Sequence, residues 1–284
     1  MAYTTEDLLL SVKRKALIPE SQDTFEDSEI LDIASEQIET KIFPEVCRAR
    51  QDFYIVSELC TVTKGSSDKY GYLYIPKRAS GMSILDMKDS NYSYLRDSDY
   101  FIEGNKIMFW DKADGTSIRV YYRLRPGKLV ETTACMTSTS SASGVIGAAT
   151  VPSTFTASET YDFVKVNPGF DTLAINISAT SVGTSDITFT STNVPSTFAV
   201  GDYVCLADES PVPQIPIEWF AYLSHLTAIA ILESIGDYEN AGKLEGKLPE
   251  MKANALSLIA PRVKNKSKAI VSSEYKKYRM NVSD

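Results

Sequence analysis

Histidine is almost missing from this chain: His225 is the single one in 284 residues, and the four cysteines, Cys47, Cys60, Cys135 and Cys205, form no C-x-x-C pair. With no other histidine and no clustered cysteines to complete a ligand set, metal catalysis is not expected. His225 itself has Leu223 and Leu226 beside it in an apolar run, and it reads as a packed or interface histidine. G-x-S-x-G, Walker A and G-x-G-x-x-G patterns are also missing, which removes the backbone machinery of nucleophile elbows, P-loops and dinucleotide sites. The pairs Asp97/Asp99 and Asp202/Asp208 invite an acid–base reading. Such pairs arise readily among 37 acidic residues, however, and turns favour aspartate for its bonds to backbone. The expectation is a protein that is not an enzyme and holds no cofactor.

No apolar run approaches the roughly 20 residues that span a bilayer, so no membrane partner is expected. The stretch Met1 to Leu10 has acidic residues ahead of its short apolar run and no small-residue cleavage pattern, unlike a secretory signal. Scattered cysteines in a chain of this size read as free thiols of a reducing compartment, a cytoplasm. Net charge is −8, which argues against general attraction to nucleic acid or anionic membrane over the molecule as a whole.

What is present is 43% apolar sequence arranged in blocks of different period. Thr4 followed by Asp7, then Leu8 to Val12, is a helix start, and a second helix from Thr24 or Asp27 carries Ile30, Leu31, Ala34, Ile38 and Ile42 until Pro44 kinks or ends it. The first helical block is 1–51. In 52–130 the period falls to two, with strands at 52–56, 70–75, 106–110 and 117–122 and turns at Gly104-Asn105 and Asp114-Gly115, a small antiparallel sheet. Its tyrosines suit a stacking platform for bases or sugars, but aromatics at alternate strand positions more often pack a small sheet or a subunit interface. The block 131–213 is rich in Ser and Thr and repeats Val151-Pro152-Ser153-Thr154-Phe155 as Val194-Pro195-Ser196-Thr197-Phe198, each copy leading into an aromatic strand. It reads as an inserted β module of two related hairpin-like units.

Helical spacing returns in 214–261. Trp219, Tyr222 and Leu226 belong to a first segment that is apolar nearly all round, and Leu244, Leu248 and Met251 form a narrow seam in a second. The seam keeps its phase across Gly246 and Pro249, so a kink is expected there, not a break. With few other helices to cover them, these six residues are expected to complete their burial against neighbouring subunits. The stretch 262–284 is basic, with Arg262, Lys264, Lys266, Lys268, Lys276, Lys277 and Arg279, and carries Ile270, Tyr275 and Tyr278 as apolar anchors. It reads either as a solvated terminus or as an arm that orders on a partner with an acidic surface. The whole predicts an α+β fold: a bundle of N- and C-terminal helices, a small antiparallel sheet, the inserted module and an extended arm.

In their order, several stretches resemble the head-to-tail connector or adaptor (neck) proteins of tailed bacteriophages. They are Thr24 to Ala34, Tyr74 to Ala79, Tyr121 to Val130, and Ala230 to Asp237. The resemblance spans most of the chain except the Ser/Thr-rich insert, whose elaboration departs from all-helical connectors. It implies a virion protein made in a bacterial host, a ring of identical subunits expected to be twelvefold. Such a ring binds the portal through the arm, offers tail or nozzle proteins a platform, and surrounds a channel through which DNA passes without sequence-specific binding. A second expectation, from the residues alone, is a tail or surface protein whose β module holds glycans.

Overall fold

Reciprocal bonds between the Thr4 and Asp7 side chains and each other's backbone N–H groups open α1 (Thr5–Lys15), the capping box that the sequence predicts. The computed structural model describes residues 3–18, 25–166 and 171–259; the basic stretch 262–284 and Thr24 lie outside them. Helix α2 (Asp27–Gln37) begins with one half of that device, the Glu26 N–H donating to Glu29 Oε2 at 3.1 Å. Pro44 would strike the Thr40 carbonyl in a regular helix. The chain avoids this with one wide π turn at Ile38–Ile42 before resuming as α3 (Phe43–Ala49).

Two three-stranded antiparallel sheets follow where the sequence suggests one. Strands β1 (Ile55–Thr61), β6 (Ser117–Leu124) and β3 (Ala79–Lys88) form the first in the order β1-β6-β3; β2 (Gly71–Tyr74), β5 (Lys106–Phe109) and β4 (Tyr100–Glu103) form the second in the order β2-β5-β4. Their inner faces meet on Val62, Leu73, Ile107, Phe109, Ile118, Val120 and Tyr122, a small sandwich with both outer faces open. β3 escapes a period-two reading because its register slips between Ala79 and Ile84 and again before Asp86, with Gly81 and Met82 at positive φ.

After β7 (Lys128–Leu129) come β8 (Met136–Thr137), β9 (Ser140–Ala142), β10 (Val145–Gly147), β11 (Thr160–Lys165), β12 (Asp171–Val182), β13 (Asp186–Phe189), β14 (Tyr203–Leu206) and β15 (Glu209–Ser210). The sheet order is β8-β14-β11-β12-β13-β10-β9. β8 and β9 are two parts of one stretch, joined through Ser138 and Thr139, whose N–H groups bond across to the Asp202 and Gly147 carbonyls. The sheet thus ends on the strand it began with and closes into a barrel, which leaves no edge exposed. Its two halves interlock. A hairpin, a V-P-S-T-F turn and a strand occur twice, as β9-β10 leading to β11 and as β12-β13 leading to β14. β10 pairs with β13 at Ile146↔Ile187, and β11 pairs with β14 at Phe163↔Val204. Both turns close identically, Phe155 N–H on the Pro152 carbonyl and Phe198 N–H on that of Pro195, and both phenylalanines fill the barrel interior. The barrel's inbound and outbound strands, β7 and β15, run side by side as a parallel pair.

The chain then returns to helix through a 3-10 turn at Ile217–Trp219 into α4 (Phe220–Ser234), followed by α5 (Tyr238–Glu245) and α6 (Leu248–Ile259). Gly236 takes the left-handed conformation that ends α4, and Asp237 caps α5 through the Asn240 N–H. The phase-keeping seam is broken at Gly246-Lys247 and not merely kinked, because Pro249 has no N–H to give the Glu245 carbonyl. The fold is α+β, with α4 enclosed by α1, α2, α5 and α6 as the axis of the helical core.

One cation is drawn into that core. Lys15 Nζ bonds to Ser11 Oγ at 2.7 Å and to Ser224 Oγ of α4, and burial lowers its pKa to about 8. An unfolded chain keeps this proton to about pH 10.5, so between pH 8 and 10.5 the unfolded state binds more protons and stability rises with pH. Urea titrations of wild type and Lys15→Met across that window should show wild type gaining on the variant; a constant gap contradicts the assignment.

Candidate functional site

The strongest convergence of charged side chains lies where sandwich, barrel and helical core meet. Arg78, in the turn ahead of β3, forms an ion pair with Asp162 of β11; the two are only 2% and 1% exposed. Its Nε bonds Asp208 Oδ1 at 2.6 Å, and Nη2 donates to the Arg125 carbonyl at 3.3 Å. Asp162 accepts in addition from the N–H groups of Asn176 at 2.9 Å and Asp208 at 3.3 Å. Burial pushes the Asp162 carboxyl above its usual range, while Arg78 and the two backbone donors pull it back. Beside it, Gln214 Oε1 accepts from Gly127 N–H at 2.7 Å, its Nε2 donates to Thr172 Oγ1, and its carbonyl takes the Tyr54 hydroxyl at 2.8 Å. Gly127 lets the chain pass closely here: a Cβ would stand 3.0 Å from the Asp208 carbonyl oxygen and 3.4 Å from Arg78. With its charges so fully engaged, this cluster is built as a joint, not a site of turnover.

A cleft of about 410 Å³ opens next to the joint between α2 and residues 125–128. Its walls pair Lys128 with Asp32 at 2.8 Å and Arg125 with Glu39 at 3.9 Å. The acids singled out from sequence are each engaged, Asp208 with Arg78 in the joint and the others mainly with backbone or hydroxyl donors. Asp99 accepts from Arg96 N–H at 2.8 Å and Asp97 from the Tyr100 hydroxyl; Asp202 takes Val166 and Ala199 N–H groups at 3.1 and 2.8 Å. His225 Nδ1 lies 2.8 Å from the Ala221 carbonyl, and burial lowers its pKa, opposed by that bond and aided by Lys15 and Lys247, so it is neutral at pH 7. Burial also raises the Cys60 thiol, with Glu58 adding to the effect, to about 12, so it is protonated at neutral pH. Among the described residues no group of three or more His, Cys, Asp or Glu could hold a metal ion, and no helix is long and apolar enough to cross a membrane.

The residues expected to pack between subunits sit elsewhere. Trp219, Tyr222 and Leu226 are buried in the chain's own helical core, and Leu244, Leu248 and Met251 are half-buried against it. The expectation that neighbours complete this burial is therefore corrected for the first three. α1, α2, α5 and α6 cover α4 within one chain, because residues distant in sequence return to it. The arm residues from Arg262 to Arg279 lie outside the described residues.

What does lie open is the outer face of the β2-β5-β4 sheet. Tyr70, Phe101 and Trp110 form a triangle of rings with centroids 4.9 to 5.5 Å apart, and Tyr72 and Tyr74 meet edge to face at 5.6 Å beneath Lys106. Tyr74 is 56% and Trp110 45% exposed. A contiguous aromatic face of this kind marks a contact surface. Comparison with known proteins finds no similar family model, curated protein or solved structure.

Sequence reasoning named the tyrosines of this face but missed Phe101 and the joint. Arg78 and Asp162 stand 84 residues apart. The available signal was Asp162 itself, an acid set between Tyr161 and Phe163 in a strand buried on both faces. Replacing Arg78 by Met should cost about 3–5 kcal/mol in urea unfolding, since a buried carboxylate loses its counter-charge. Adding Asp162→Asn, which keeps the acceptor without the charge, should restore at least half. A single variant as stable as wild type contradicts the role given to the pair.

Proposed function

We propose that this protein is a structural assembly subunit that forms a ring between the portal and the tail of a phage particle, closing the filled head and presenting a docking platform. The observation that carries the reading is the open aromatic face of Tyr70, Tyr72, Tyr74, Phe101 and Trp110, a surface suited to a protein partner and set on a rigid sandwich. It is supported by the ordered resemblance of the four stretches to connector proteins. Leu10, Ile235, Tyr238 and Leu258 are further exposed apolar side chains on the helical part, available for contacts between copies. The glycan reading of residues 131–213 draws no support from the barrel, whose Phe155, Tyr161, Phe163, Phe189 and Phe198 point into a filled interior.

Negative-stain imaging and sedimentation of the purified protein test this: closed rings are expected, and the protein should be found in particles. Trp110→Glu with Tyr74→Glu should abolish tail docking or ring closure with unchanged far-ultraviolet circular dichroism. A concentrated protein that stays monomeric and is missing from particles overturns the reading. Deletion of 262–284 should leave the fold intact and abolish co-assembly with the portal; undiminished co-assembly removes the arm from the proposal.

A further inference from the structure

The other outer face of the sandwich carries an alternation that the ring reading leaves unused. Arg119, Tyr121 and Arg123 occupy alternate positions of β6 and so project from one side of the β1-β6-β3 sheet. The strand register places Lys88 of β3 beside Arg119. The Lys88 ammonium lies 5.1 Å from the centre of the Tyr121 ring and 4.4 Å from that of Tyr94. Tyr94, Tyr121, Lys88 and Arg123 line a cleft of about 300 Å³ there.

Around the joint and the helices Lys13, Arg125 and Lys128 each meet a carboxylate. Among the described residues, Lys88, Arg119 and Arg123 make no ion pair, although acidic residues outnumber basic ones 37 to 29 in the chain. Arg119 reaches only the Ser57 hydroxyl, at 3.2 Å, and the one carboxylate lining the cleft, Asp86, is taken by the Met87 N–H at 2.8 Å. Three cations against the single carboxylate of Asp86 make this face locally positive on an acidic protein and call for an anionic partner. Interleaving with two tyrosine rings narrows its chemistry, because a charged groove with aromatic side chains is how unpaired nucleotides are held, phosphates on the cations and bases on the rings. An acidic peptide would use the cations and leave the rings idle, and a duplex presents no free base to stack.

We propose that this face binds single-stranded nucleic acid, with phosphates against Arg119, Arg123 and Lys88 and a base stacked on Tyr121 once the Lys88 ammonium moves from the ring to the backbone. The inference does not depend on the ring. The net negative charge opposes attraction over the whole surface, so the binding is local and salt-sensitive.

Fluorescence anisotropy of a labelled oligothymidylate of about 12 nucleotides, a length within the usual single-strand site size, tests it on the full chain at low salt. Three phosphate contacts predict a slope of log affinity against log salt of about −2. Tyr121→Leu should weaken binding about tenfold. Arg119→Gln with Arg123→Gln should weaken it and flatten the salt slope, while Lys264→Gln with Lys266→Gln and Lys268→Gln should leave it unchanged, all with unaltered circular dichroism. Equal affinity for a duplex of the same length, indifference to Tyr121→Leu, or loss on changing the basic stretch instead of the sheet face overturns the proposal.

Discussion

The buried pair of Arg78 and Asp162 is the constraint on which the rest of the molecule depends. Two opposite charges with almost no exposure are tolerable only when each remaining lone pair and donor finds a partner, and here those partners come from separate parts of the chain. Arg78 belongs to the sandwich, Asp162 and Asn176 to the barrel, and Arg125 and Asp208 to the segments leading into and out of it. Gln214 then ties the same neighbourhood to Tyr54, at the edge of the helical core. A pair of this kind adds little net stability over an apolar replacement, but it penalises any arrangement in which the three parts sit differently. Its effect is on the relative position of sandwich, barrel and helical core.

Those two faces divide the chemistry of the surface. One is dominated by aromatic rings, with Tyr74 and Trp110 open to solvent and Lys106 over Tyr72 and Tyr74; the other alternates cations with tyrosines along β6. They share one sandwich core, Ile107 and Phe109 from one sheet against Ile118, Val120 and Tyr122 from the other, so neither can move without the other. A protein with two such faces held rigidly back to back can present different chemistry on opposite sides.

Legibility in the sequence followed the range of the interactions. The caps at Thr4 and Asp237 act within three residues and were readable, as was the all-round apolar surface of α4. What covers α4 was not, because α1 and α2 reach it from some two hundred residues away and local periodicity carries no trace of that return. β3 was hidden by its register slips, β4 by its lack of alternation, none of its four residues being buried. The V-P-S-T-F echo announced two related units, yet their interlocking through Ile146 and Ile187 depends on which strands choose each other, a matter decided by closure. The two sheet faces were half-visible: alternate tyrosines appear in the sequence, but which side of a sheet stays bare is set by what the other side finds to pack on.

The parallel pairing of β7 with β15 has a consequence for how the chain assembles. Since the barrel's two ends leave it side by side, its contacts span fewer than a hundred residues, whereas α1 must wait for α4 to be in place before either is covered. Search time grows with the separation of the contacts formed, so the barrel is the part able to fold early and the helical core the part that completes the molecule. A barrel that is already closed then acts as a clasp: by holding Lys128 next to Glu209 it shortens the effective loop between the first helices and the last, and brings the two halves of the core within reach of each other.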